Sequence, residues 1–395
     1  MAAYVSYALF CASCLGLGLI AAQFSVLRHH VRAPLARTDR RPPISILKPL
    51  CGIDDGLEVN LALFANLDYP EYEVVLGTRD VRDPAWKVAR AAARKWPGRF
   101  RVVLQRGEPG LNPKVNQLVT LASAARHDLL VVSDSNVRVE PGYLDEIAAL
   151  LGDREVGLVT HPIAGEGETS LGSVLDHLHL TASVTPSVLG LKRLVGRDVV
   201  VGKSMALRRA DLLALGGFEA AKDVLAEDYV IGVMITEALG KRVEIGRRPV
   251  RNVSERRTFL EFVRRYQRWG VLQRQAAGPL LYACGALLNP VLLAAIAAVV
   301  SRTPSALCAL GATCAAKTAL DGASASALRP GGFRARHLAL IPMKDIVLGV
   351  VWAYCFIRRD VEWRGTRILV ERGTRIEVPP PYGAPIAPTR DPANV

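Results

Sequence analysis

Residues 128–139 read DLLVVSDSNVRV. The run Leu129–Val132 has the apolar, β-branched content of a buried strand, and it ends on Asp134, Ser135 and Asn136 before apolar alternation resumes. Packing gives a buried strand no use for a carboxylate at its end, so Asp134 needs a chemical explanation.

The same pattern repeats around it. ISIL (44–47), EVVLG (73–77), FRVVLQ (100–105) and VGLVTHP (156–162) are further short apolar runs. Helical spacing separates them at 57–67, from Asp83 as cap and Pro84 at the first turn to about Trp96, at 113–125 and at 141–151. Strands alternating with helices predict an α/β fold with a mostly parallel sheet covered on both faces, whose ligands bind outside the carboxyl ends of the strands. Asp80 follows the strand at 73–77 as Asp134 follows its own, so the two acids share one rim. A lone aspartate there is usually a solvated loop residue or a helix cap; two on one rim favour a site. No phosphate-cradling glycine motif follows the first strand, which argues against P-loop hydrolases and Rossmann dehydrogenases. A carboxylate facing a nucleotide diphosphate needs a hard cation between them, and Mg²⁺ or Mn²⁺ suits Asp134 with Asn136 as a weaker second ligand.

The chain has 395 residues with 50 basic against 37 acidic side chains, a formal charge of +13, and half of it is hydrophobic. An anionic partner fits that charge. Residues 1–27 carry no charged side chain and exceed the ~20 residues of a spanning helix, without the basic start or small-residue cleavage site of a signal peptide. They are expected to be an N-terminal transmembrane anchor. Further apolar stretches at 278–300, 304–320 and 338–357 follow a catalytic block at 40–256. Six of the seven cysteines lie in the apolar stretches, leaving Cys51 alone in the block, so no disulfide framework is possible there and a reducing compartment is expected. Nucleic-acid binding finds no recognition motif and only 6% aromatic residues, and four apolar stretches are too few for a typical transporter.

Glu227 and Asp228 open a helical run at 229–239, where acids also serve as ordinary helix caps. RRTFLEFVRRYQRWG (256–270) reads as an amphipathic helix with Phe259, Phe262, Val263, Tyr266 and Trp269 or Gly270 on one face and Arg264, Arg265 and Arg268 on the others. Just ahead of apolar segments, such a helix (257–276) is expected in the membrane interface, with Arg268 and Trp269 also within reach of a diphosphate.

These pieces together resemble the ceramide glucosyltransferase family, membrane-anchored inverting enzymes with a GT-A catalytic domain. The resemblance runs in order through KPLCGIDDGLEVNLALFANLDYPEYEVVL (48–76), NPKVNQL (112–118), DSNVRV (134–139), GKSMALRRADLLALGG (202–217), AEDY (226–229), the (Q/R)xxRW signature at 265–269 and VEWRGTR (361–367). It implies Asp80 near the uracil and ribose of a UDP-sugar, Asp134 at the metal and diphosphate, Lys114 in donor binding, and Asp228 as the general base. Arg265, Arg268 and Trp269 are expected to close over the donor. Asn136 stands where related families carry the second carboxylate of D-x-D, which weakens a two-carboxylate metal site. Animal members carry a His-Pro pair before the third acid; no histidine aligns within TASVTPSVLG (181–190), so the acceptor is open to difference. The implied reaction moves a hexose, glucose first among them, from a UDP-sugar to the primary hydroxyl of a membrane lipid. Ceramide is the first choice of lipid and a hopanoid or diacylglycerol the alternative; the phospholipid bilayer is the remaining partner, and nucleic acid is not one.

Charge counting sets the expected topology. Arg28, Arg32, Arg37, Arg40, Arg41 and Lys48 follow the first span, placing the catalytic block in the cytoplasm. Residues 278–300 lead out and 304–320 return. Basic residues flank 338–357 on both sides, and Pro342, Lys344 and Asp345 interrupt it, so it is expected to be re-entrant or interfacial, with a cytosolic tail at 358–395. The alternative has 304–320, with Lys317, failing to span and 338–357 crossing instead.

Overall fold

A computed structural model describes residues 1–363 and 366–377; Arg364 of the basic flank and 378–395 of the tail lie outside the described residues. The strands are β1 (Ile44–Pro49), β2 (Tyr72–Thr78), β3 (Phe100–Leu104), β4 (Leu129–Ser133), β5 (Val137–Arg138), β6 (Val156–Thr160), β7 (Ile163–Glu166), β8 (Ser204–Arg208), β9 (Arg242–Ile245) and β10 (Val250–Val253). Seven of them form one sheet in the order β3-β2-β1-β4-β8-β6-β9. Neighbours are parallel except at β8, which runs antiparallel to both β4 and β6. This is the mixed α/β, mostly parallel sheet that the alternation predicts. The central strands are buried on both faces, which is why β1, β2 and β4 read as mainly apolar runs rather than alternating ones. Ile44, Ile46, Val74, Leu76, Phe64 and Ile147 pack one face; Leu47, Val75, Val115, Leu118, Val132 and Leu207 pack the other.

Cap chemistry fixes the crossover helices. Asp83 accepts from the Ala85 amide and Pro84 opens the helix Pro84–Lys95. Asn112 accepts from the Lys114 and Val115 amides ahead of Pro113–Ala124, which aims Lys114 at the strand ends. A smaller sheet, β5-β10-β7, lies beyond the rim. After β7 the chain runs helically from Leu171 to Val195, passing through π-helical turns at Leu180–Val184 and Leu191–Val195. Thr185 in this run exchanges hydrogen bonds with both main-chain groups of Ile163, and Thr181 accepts from the Gly165 amide, so its hydroxyls pair with β7.

The N-terminal helix Ala2–Arg32 is long and apolar enough to cross a membrane, as the anchor expectation requires. Pro290–Ser301 lies antiparallel to it: Ser6 Oγ donates to the Ala297 carbonyl and Ser13 Oγ to that of Pro290. Pro304–Leu328 then returns, ending where Leu328 packs with Leu27, Ala164 and Ile245. Pro279–Leu288 and Pro290–Ser301 meet at 80°, so 278–300 is bent rather than one straight span.

Residues 335–354 also satisfy length and composition for crossing. Just before them Arg329 pairs with Glu168 at 2.8 Å, and after them Leu225 N donates to Thr374 O and Ile376 N to Asp223 O, both at 2.8 Å. Both flanks therefore rest on the catalytic block.

The helix Phe259–Ala277 departs from expectation. Thr258 and Glu261 form a capping box, but the buried set is Phe262, Arg265, Tyr266, Gly270 and Val271, while Phe259 is 43% exposed. It packs with Leu175, Val351 and Cys355, and with Val361 and Ile368 of an antiparallel strand pair, β11 (Asp360–Trp363) and β12 (Thr366–Val370). It packs between the catalytic block and the C-terminal helices. Arg265 faces inward because a buried acid awaits it.

Candidate active site

The carboxyl end of β4 delivers Asp134 to the rim. Because β8 runs antiparallel to β4 with Ser204 paired to Ser133, the start of β8 reaches that same rim and sets Lys203 beside Asp134. Lys203 Nζ stands 2.9 Å from Asp134 Oδ2, and Lys114 Nζ stands 3.0 Å from Oδ1. Lys114 also reaches Glu227 at 2.7 Å, and Lys203 donates to Asn136 Oδ1 at 2.9 Å. Burial alone would push the Asp134 carboxyl up, yet the two ammonium groups hold it well below the usual carboxylate range. Lys114 has three acids, Asp134, Glu227 and Asp228, against its burial and is shifted up; Lys203, facing Arg265 as well, is shifted down by burial.

Lys48 lies beneath. Fully buried over the Phe64 ring at 3.8 Å, it donates to Ser133 Oγ and the Asp134 carbonyl, and burial draws it down to about 7. It holds the strand end where Asp134 leaves the sheet.

Asp228 opens the helix Glu227–Glu237. Its carboxylate accepts from the amides of Gly202 and Tyr229, the latter at 2.9 Å. Burial, with Glu227 beside it, pushes Asp228 up to about 6, the range of a general base working near neutrality. A Cβ at residue 202 would stand 2.7 Å from Asp228 Oδ2, so the glycine of GKSMALRR is what lets the carboxylate reach the main chain.

Arg265 Nε lies 3.4 Å from Asp176 Oδ1, Arg257 Nε is 3.4 Å from Oδ2, and the Tyr266 hydroxyl donates to Oδ1 at 2.9 Å. The Arg265 guanidinium also lies 5.1 Å from the Trp269 ring centre. Asp176 is fully buried in the helix Leu171–His179 and is the acid that sequence reasoning missed; its signal was a carboxylate between the apolar Leu175 and Leu178. Arg268 and half-buried Trp269 line the cleft beside Arg265.

Asp134, Asn136, Lys114, Lys203, Asp228, Arg265, Arg268 and Trp269 thus surround one cleft of about 2010 Å³. Asp80 sits on the same rim but outside the lining; it is exposed and accepts from the Arg82 amide at 2.6 Å, while Arg79 beside it does line the cleft. The cleft also runs between the helices, along Ile20, Leu281, Leu292, Leu348 and Trp352.

The model for "Glycosyl transferase family 21" matches residues 8–376. The chain belongs to glycosyl transferase family 21. Among curated relatives, "Ceramide glucosyltransferase 1" of Caenorhabditis elegans is 28% identical over 253 residues, 64% of this chain and 53% of its own. The "Ceramide glucosyltransferase" of Komagataella phaffii is 30% identical over 191 residues, 43% of this chain and 38% of its own. The resemblance to ceramide glucosyltransferases drawn from the motifs is therefore borne out, with matches spanning about half the length of these relatives or less. Among solved structures, "Mannosyltransferase PcManGT from Pyrobaculum calidifontis in complex with GDP-Man and Mn2+" is 20% identical, covers 90% of this chain and 99% of that one, and has a TM-score of 0.49.

Proposed function

We propose that this chain is an inverting GT-A glycosyltransferase that moves a hexose, glucose first, from a UDP-sugar to the primary hydroxyl of a membrane lipid, with ceramide the acceptor. The observation that carries the reading is the continuity of the cleft: one opening holds a raised carboxylate and an ammonium and guanidinium cluster, and its far wall is built from apolar helices. A nucleotide-sugar suits the charged end and a lipid the apolar end. The ceramide glucosyltransferase names of the relatives support that acceptor.

In this reading the acceptor oxygen attacks the anomeric carbon while the bond from that carbon to the diphosphate oxygen breaks. The hydroxyl proton passes to Asp228, and the bonding pair leaves with UDP from the opposite face. General-base help of this kind contributes typically ~10²–10⁴-fold. Lys114, Lys203, Arg265 and Arg268 lie where charge on the departing diphosphate would be met, and Trp269 would close over the donor. Asp80, on the rim outside the cleft lining, is assigned to the uracil and ribose, beside Arg79 of the lining.

Asp134 Oδ2 and Asn136 Oδ1 converge on one point, held by the Lys203 ammonium at 2.9 Å from each. The two hard oxygens fit Mg²⁺ or Mn²⁺ there if the ion takes the lysine's place and substrate phosphates and water complete the shell. Among the described residues no group of three or more His, Cys, Asp or Glu side chains could hold an ion unaided, so these two would hold it together with the donor. Bound there, the ion would supply Lewis-acid neutralisation of the diphosphate. The catalytic block is proposed to face the cytoplasm as part of a multi-pass membrane protein.

The test is purified full chain in detergent with a panel of UDP-sugars and of ceramide, diacylglycerol and hopanoid acceptors, products read by mass spectrometry. Hexosylceramide from UDP-glucose supports the proposal; no glycolipid from any pair overturns it, and transfer to diacylglycerol or hopanoid alone overturns ceramide as acceptor.

A further inference from the structure

Four charged side chains meet inside the helical part of the molecule, away from the donor end of the cleft. Lys317 and Asp321 come from Pro304–Leu328, and Lys344 and Asp345 from Ile341–Tyr354. Lys317 pairs with Asp321 and stands 3.4 Å from Asp345; Lys344 lies 3.2 Å from Asp321 and 3.0 Å from Asp345, and donates to Ser183 Oγ at 3.3 Å. All four are at most 5% exposed. Two ammonium and two carboxylate groups leave the cluster formally neutral.

Packing alone gives a poor account of it. Four ions cost more to bury than apolar residues of the same size, so a cluster like this among apolar helices points to function. The pairing is also incomplete: Asp321 Oδ1 is buried with no donor, and Asp345 Oδ2 makes no hydrogen bond and has only the Lys317 ammonium, at 3.4 Å. Lys317, Asp321, Asp345 and Ser183 line the cleft, as does His179, whose ring stacks edge-on at 4.6 Å against Tyr266, next to Arg265. Asp321 lies seven residues before Leu328, where the helix meets the catalytic block. That is roughly 10 Å into the helical layer, about the depth of a lipid head group.

We infer that this cluster is the acceptor's head-group site, in which Asp321 and Asp345, backed by Lys317 and Lys344, accept hydrogen bonds from O–H and N–H groups of a neutral lipid other than the hydroxyl that reacts. The inference rests on the lipid-acceptor reading above and deepens it. A formally neutral cluster has no counter-charge for an anionic phosphate or a cationic head, and the unpartnered Asp321 Oδ1 and weakly held Asp345 Oδ2 ask for donors. The ligand class is a neutral lipid with an amide N–H or a second hydroxyl near the reactive one.

The test uses the full chain in detergent at fixed UDP-glucose, with ceramide and two analogues that keep the primary hydroxyl, one N-methylated and one lacking the secondary hydroxyl. Removing a donor should lower kcat/KM by about 10-fold or more, the loss expected of one hydrogen bond to a charged group. Asp321→Asn should raise the ceramide KM by a similar factor, leave the UDP-glucose KM within about twofold, and be nearly indifferent to at least one of the two deletions. If that variant fails to fold, the combined change Lys317→Met with Asp321→Leu keeps the cluster neutral and is held to the same readouts. Analogues as good as ceramide, or losses in variant and analogue that simply add, overturn the inference while leaving lipid transfer intact. No transfer to any lipid overturns both.

Discussion

The main-chain amide of Gly202 donates to the carboxylate of Asp228, so the start of the antiparallel strand β8 and the first turn of the helix at 227 are locked together at the mouth of the cleft. The contact depends on residue 202 having no side chain, since a Cβ would stand 2.7 Å from Asp228 Oδ2. Gly202→Ala should displace the carboxylate by a few tenths of an ångström to an ångström and lower kcat by about 10–10²-fold, with a melting temperature close to the parent's. Steady-state kinetics beside a thermal melt check this; unchanged kcat would separate Gly202 from the chemistry.

Asp228 is active as a base only when ionised, and burial with Glu227 nearby raises it to about 6. A raised carboxyl is protonated, and so inactive, at pH values where an ordinary one is not. kcat/KM should therefore be flat above about pH 7 and fall about tenfold per unit below about 6. Asp228→Asn should lose ~10²-fold or more of the rate, keep UDP-sugar binding, and lose this acid limb from what activity remains. A pH–rate profile with donor titrations decides; near-normal turnover in the variant would remove the assignment.

Asp134 presents the oxygen atoms proposed to hold the cation, and Lys114 and Lys203 share them. In the parent, UDP-sugar affinity should rise with Mg²⁺ or Mn²⁺; in Asp134→Ala it should no longer respond to either ion. Calorimetric titration with and without metal measures both. An unchanged metal response in the variant would move the ion elsewhere.

Much of this site is legible in the sequence because it depends on local pattern. Strand periodicity alone puts Asp80 and Asp134 on one rim, and Asn112-Pro113 announces the helix that carries Lys114. What is not legible depends on non-local partners. Lys203 reaches Asp134 only because β8 inserts antiparallel between β4 and β6, and a five-residue strand gives no hint of its direction. Helical periodicity puts Arg265 off the apolar face, but Asp176, far away in the chain, draws it inside. Lys317, Lys344 and Asp345 read singly as interruptions of apolar runs; their mutual pairing appears only when the two helices are side by side.

The contacts flanking 335–354 carry the topology. Arg329 and residues 374–376 both touch the catalytic block, so the turn at 329–334 should share its compartment, while the turn at 301–303 should lie opposite. In a cysteine-free background, Arg302→Cys should react with an impermeant thiol reagent on intact cells and Gly331→Cys only after permeabilisation. Labelling of Gly331→Cys from outside would make 335–354 a true crossing.

The proposed mechanism is direct displacement at the anomeric carbon, with Asp228 taking the acceptor proton. The configuration of the product measures it most directly. Glycolipid made from α-linked UDP-glucose by the purified chain should show, by ¹H NMR, the large anomeric coupling of a β-linked sugar. An α-linked product would contradict single displacement and, with it, the role given to Asp228.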